Sequence, residues 1–106
     1  MFHKTTENMK YASWQLIRNY AEKFRWRDRR TGTEIIGYQP PNGVPHDRVP
    51  FYVKFITKTG KVEEGNVVSL TVDRRTHLRM VQFVKSNQIR EIRDFLIIEI
   101  DGMHFK

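Results

Sequence analysis

The chain has 106 residues, a formal net charge of +7 and no cysteine. That length allows one domain with a single unstapled core, and the missing thiols exclude disulfides and thiolate metal centres. No apolar run reaches the roughly 20 residues that span a bilayer, and Met1 to Lys10 is too polar for a secretory signal, so a soluble cytoplasmic protein is expected.

Residues 1–7 show no periodicity and read as a tail, with Met9 an alternative start. Over residues 8–24 the pattern turns helical. Tyr11, Trp14, Ile17, Ala21 and Phe24 recur at three- and four-residue spacing, with Tyr20 beside them. Asn8 suits the N-cap, and Lys10, Arg18, Asn19, Glu22 and Lys23 form the polar face.

The segment from Phe24 to Tyr38 admits two readings. Phe24-Arg-Trp-Arg-Asp-Arg29 alternates with period two, and a turn at Arg30-Thr-Gly32 would fold it onto Thr33–Tyr38 as a hairpin. Phe24 and Trp26 would then share one side, and Arg25, Arg27 and Arg29 the other. Alternatively the helix runs on to about Arg30, its basic last turn meeting the negative helix end before Gly32. Trp26 falls off the helical stripe, which favours the hairpin. Gln39–Pro50 holds all four prolines, so it is neither helix nor central strand. It reads as a stiffened crossover or as a docking loop.

From residue 51 to 105 the chain breaks into strand-length runs. These are Phe51–Thr57, Val67–Asp73, Leu78–Val84, Gln88–Arg93 and Phe95–Ile100, separated by turn residues. Lys58-Thr59-Gly60 and Asp101-Gly102 are hairpin turns, Arg74–His77 and Lys85–Asn87 are further connections, and Gly65 suggests a bulge or bend. Three faces are expected to be apolar: Phe51, Val53 and Phe55; Val68, Leu70 and Val72; and Leu96, Ile98 and Ile100. Phe95 and Ile97 make the opposite face of the last strand apolar too, as if the helix covered it.

Five short turn-linked strands with a glycine bend, closing on Gln88-Ile-Arg-Glu-Ile-Arg-Asp-Phe-Leu-Ile-Ile-Glu-Ile100, resemble an SH3-like small β-barrel, including its Sm-like relatives. The resemblance covers residues 51–105 and rests on strand spacing. The proline- and tryptophan-lined ligand surface of SH3 domains and the Asn-Gly RNA pocket of the Sm family have no counterpart here. With the helical pattern before it, the resemblance leads to an expected α+β, mostly β fold in one domain over residues 1–106. An N-terminal amphipathic helix (8–24) would pack on an antiparallel barrel of about five strands (51–105), joined to it by a hairpin and proline-rich crossover (25–50).

Catalysis finds little support. His3, His46, His77 and His104 lack the spacing of a helical zinc site, and Ser13, Ser69 and Ser86 lack a nucleophile-elbow context. Glu63-Glu64 reads as a solvated strand edge, and Gly32, Gly37 and Gly43 are too dispersed for a phosphate loop. The expectation is a non-enzyme with no cofactor and no metal.

Charge gives the better lead. Residues 1–30 carry eight Lys/Arg against three acids, residues 31–50 one against two, and residues 51–106 ten against seven. This balance favours a nucleic-acid partner, DNA or RNA undecided; the lack of a membrane-length apolar run argues against a membrane. Phosphates need clustered cations, and unpaired bases need flat rings. Arg25, Arg27, Arg29 and Arg30, interleaved with Trp26, make the densest cluster. Arg74, Arg75 and Arg79 make a second, while Tyr52, Lys54, Lys58 and Lys61 line the first strand and its turn. The competing reading of each is a solvated strand face that blunts sheet edges, and of Trp26 core packing. Arg90 and Arg93 have Glu91, Asp94 and Glu99 nearby to pair with. The alternative function is a protein–protein or assembly component, possibly homo-oligomeric, using the barrel edges, the proline loop and the Phe95/Ile97 face.

Overall fold

The structure, a computed structural model, describes residues 15–105. The expected tail (1–7) and the first half of the expected helix, with its Asn8 cap, lie outside the described residues. Residues 15–21 are helical (α1). They are followed by β1 (Phe24–Arg27), β2 (Glu34–Gly37), β3 (His46–Arg48), β4 (Phe51–Ile56), β5 (Val62–Asp73), β6 (Leu78–Phe83) and β7 (Ile89–Arg93). A 3₁₀ turn (Asp94–Leu96), β8 (Ile97–Ile100) and β9 (Met103–His104) complete the order. The strands form two antiparallel sheets, in the orders β2-β1-β3 and β7-β6-β5-β4-β8-β9. They do not form the closed barrel expected from strand spacing. No described helix is long and apolar enough to cross a membrane.

The helix stops earlier than its apolar stripe implies. Glu22 N–H still donates to the Arg18 carbonyl at 3.0 Å, but Phe24 already belongs to β1. Phe24 to Trp26 pair with β2 on one side and β3 on the other. Two ladders of backbone hydrogen bonds thus replace one helical turn, and tertiary pairing overrides local propensity. The hairpin reading is the one the structure adopts: Phe24 and Trp26 are half-buried, Arg25 and Arg27 exposed. The proline-rich segment contributes β3, a three-residue strand at a sheet edge, where proline flanks are tolerated.

In the larger sheet β4 buries Phe51, Val53 and Phe55 as the alternation predicts. Gly65 does not interrupt β5, whose pairing with β4 continues from Asn66 through Gly65 to Glu64. Its role is steric: a Cβ placed there would lie 2.9 Å from Phe83 Cε1. The irregularity lies further on, between Ser69 and Thr71, where the register against β6 skips Leu70. The β5 residues that reach the core are Val67 and Ser69, leaving Val68, Leu70 and Val72 only half-buried.

The last expected strand is also displaced. Phe95 and Leu96 sit in the 3₁₀ turn, and Phe95 is 69 % exposed. The β8 register against β4 shifts between Lys54 and Phe55, so Ile97 and Ile100 are both buried and the face Leu96/Ile98/Ile100 does not exist as such. The core gathers Ile17 and Ala21 of α1 with Phe51, Val53, Phe55, Val67, Val81, Ile92, Ile97 and Ile100. Each large side chain in it contributes roughly 1.5–3 kcal/mol.

Candidate functional site: an arginine-rimmed groove

Arg79 departs most from the sequence expectation. It is fully buried on β6 and cannot meet a phosphate. Its Nε donates to Asp94 Oδ1 at 3.0 Å and its Nη2 to Asp94 Oδ2 at 3.2 Å. Nη1 donates to Ser69 Oγ at 3.0 Å, and Nη2 also reaches Glu22 Oε2 at 3.1 Å. The planar fork thus satisfies a carboxylate bidentately while reaching β5 and the end of α1. Strand parity puts it there, because Arg79 shares its side of β6 with buried Val81.

Beside this network lies a groove of about 540 Å³ between α1, the three-stranded sheet and β5. Arg18, Arg48 and Arg74 line it together with Phe24, Tyr38 and Leu70. Gln15, Asn19 and Gln39 add amide groups, and Glu22 is the single carboxylate among the described lining residues. Glu22 is already engaged, by Arg79 at 3.1 Å and by Arg18 at 3.8 Å. The described lining is therefore net positive.

Local geometry explains how Arg48 is held. The β5 bulge leaves Leu70 outside the ladder with β6, and Arg48 Nη2 donates to its carbonyl at 2.8 Å. The Arg48 guanidinium also lies 4.9 Å from the Phe24 ring centroid, an attractive placement for a cation over a π face. Partial burial lowers the Arg48 pKa; the Glu22 charge opposes that shift and the Arg79 charge adds to it. A guanidinium stays protonated through such a shift, so Arg48 offers a partly desolvated positive charge. Tyr38, 50 % exposed, donates its hydroxyl to the Asn19 carbonyl at 2.9 Å, which fixes the ring on the groove wall.

The seven arginines expected at the site do not gather in one place. Arg25 and Arg27 alternate with Phe24, whose side of the strand faces the groove, so they point the other way. Arg25 is paired with Glu34 at 2.9 Å, and Asp47 stands directly opposite it on β3. Arg27 donates to the Gly32 carbonyl at 2.9 Å and Arg29 to the Gly43 carbonyl at 3.2 Å. Arg30 is exposed in the turn. Arg75 lies 4.0 Å from Asp73. Of the expected set only Arg74 reaches the groove, where it joins Arg18 and Arg48. The helical pattern places Arg18 on the polar face of the helix, and Arg48 falls inside the proline-rich crossover. No local signal brings either to Arg74, because the meeting depends on how α1 and β3 sit around the end of β5.

Trp26 is half-buried and packs over Gly37, where a Cβ would fall 2.8 Å from Trp26 Cη2. Among the described residues no group of three or more His, Asp or Glu is placed to hold a metal ion. A scan against known protein families finds no matching model, and neither the curated proteins nor the solved structures contain a match to this chain.

Proposed function

We propose that this protein is a non-catalytic nucleic-acid-binding module whose binding surface is the groove rimmed by Arg18, Arg48 and Arg74. The carrying observation is that these three guanidinium-bearing residues line one concavity where, among the described residues, the only lining carboxylate already accepts from Arg79. A concave positive surface with low-dielectric walls focuses field on a polyanion and raises its local concentration. The hairpin arginines on the far side of the three-stranded sheet are mixed with acids and take a secondary role, adding to long-range attraction. The order β7-β6-β5-β4-β8, a meander whose last strand returns to the first, with a 3₁₀ turn before that strand, supports an SH3-like reading of this unit as part of the proposal. A cytoplasmic location belongs to it as well.

The test is fluorescence anisotropy on labelled oligonucleotides at low and moderate salt. Binding is expected to weaken steeply as salt rises, since several phosphates are neutralised. Arg74→Glu, an exposed substitution, is expected to weaken it at least about tenfold. Failure to bind any oligonucleotide at low ionic strength would overturn the proposal in favour of a protein-docking domain. Undiminished binding by Arg74→Glu would remove the groove from it.

A further inference from the structure

We infer that the groove takes an unpaired strand and not a duplex, with one base laid on the ring of Tyr38 and the adjoining phosphates held by Arg48 and Arg74. This rests on the nucleic-acid reading above and narrows it to a class of substrate. Size and shape argue first. A concavity of about 540 Å³ lies in the range that encloses a small organic ligand, room for a nucleotide or two. A duplex presents convex ridges of phosphate with its base faces stacked out of reach, so it touches only the rim. An unstacked strand can lower a base into the space between the arginines.

The lining chemistry argues second. Tyr38 is half-exposed, and its hydroxyl is already committed to the Asn19 carbonyl at 2.9 Å, so its ring is a fixed platform that loses little freedom when a base settles on it. Phe24 cannot serve that way, because the Arg48 guanidinium covers one face at 4.9 Å and His46 meets its ring at 5.3 Å, nearly perpendicular. The same contact orients Arg48. One of its five N–H donors goes to Leu70, and the fork has others to offer a phosphate. Gln15 and Gln39 line the same space. Their amides donate and accept, which suits the Watson–Crick edge of an unpaired base without choosing one base strictly. Glu22 does not repel the strand, because Arg79 and Arg18 hold its carboxylate.

Anisotropy titrations on one sequence as single-stranded DNA, single-stranded RNA and duplex DNA test the inference, using the full chain. At least one single strand is expected to bind about tenfold or more tightly than the duplex, and the tighter of the two identifies the sugar preferred. Tyr38→Ala should weaken single-strand binding by roughly tenfold, while Tyr38→Phe, which keeps the ring, should retain most of it. As a readout independent of any variant's folding, 2-aminopurine placed in the strand should change its fluorescence on binding the native protein, as stacking on an aromatic side chain alters it. Equal or tighter duplex binding, or unchanged 2-aminopurine emission, overturns the stacked-strand inference. If binding then remains salt-sensitive and is lost in Arg74→Glu, the nucleic-acid reading survives. Absence of binding to all three probes overturns both.

Discussion

Asp94 grips Arg79 through both carboxylate oxygens, at 3.0 and 3.2 Å, in a region where the two residues are 2 % and 0 % exposed. A charge pair this deep gives the fold little net energy, since desolvation consumes most of the attraction. It is nevertheless hard to break by halves. The remaining Arg79 donors tie Ser69 of β5 and Glu22 after α1 to the same point, so the pair sets how the helix end sits against the larger sheet and beside the groove.

Removing one partner should therefore cost far more than removing both. Asp94→Ala takes the bidentate partner from a buried guanidinium, leaving Glu22 to meet its charge from one side, and is expected to lose about 3–5 kcal/mol. Exchanging the pair together, as Arg79→Met with Asp94→Leu, should recover most of that loss. Urea denaturation of the two singles and the double closes the cycle. A single variant that loses less than about 1 kcal/mol, on the scale set by exposed pairs, would show that the pair is not desolvated as described.

Tyr52 should titrate late. Its hydroxyl donates to Glu64, and that bond, with lesser help from desolvation and the Glu64 and Glu99 charges, lifts its pKa from 10.0 to about 12. A raised pKa means the contribution to stability is complete below the ordinary tyrosine range and disappears as pH climbs through about 12. Ring-labelled tyrosine NMR across the alkaline range should show a resonance with its midpoint at about 12 in place of the ordinary 10.0. Tyr52→Phe should delete it, and Glu64→Gln should bring it earlier. A Tyr52 resonance with its midpoint at the ordinary 10.0 would contradict this assignment.

Gly37 should tolerate no side chain. It stands opposite Phe24 in the hairpin register, and the space a Cβ would need is taken by the Trp26 ring, 2.8 Å away. Gly37→Ala is expected to push the indole aside at a cost of about 1–3 kcal/mol, the usual scale for overpacking. In a Trp14→Phe background, the emission of Trp26 should shift to longer wavelength. Unchanged emission and stability would mean that the ring does not cover the glycine.

Much of the fold was legible where local chemistry and tertiary context agree. The alternation in Phe51–Phe55 gave β4 its buried face, and Gly60 (φ 86°) takes the left-handed place foreseen in the Lys58–Gly60 turn. Legibility failed where a register shift changes parity. The shift opposite Lys54 lets both Ile97 and Ile100 turn inward in β8, and in β5 the inward parity follows the pairing of Val67 with buried Phe51; no composition rule announces either. The helix boundary failed for a different reason: Phe24 fits a helical stripe and a strand equally well, and its partners in β2 and β3 decide between them. The candidate site suffered most. Arginine is read as a surface residue by default, yet Arg79 is interior because its strand position is interior. Arg18, Arg48 and Arg74 meet only through contacts spanning much of the chain.

The core joins Ile17 and Ala21 to Ile97 and Ile100, with strand β8 seated on β4. During synthesis, Ile17 and Ala21 must wait until residue 100 has left the ribosomal tunnel before the cluster they belong to can close. Such long-range closure slows folding and prolongs the exposure of unfinished surface. A nascent chain stalled before residue 97 would lack the strand that completes the interior, and would be an early substrate for chaperones or proteases.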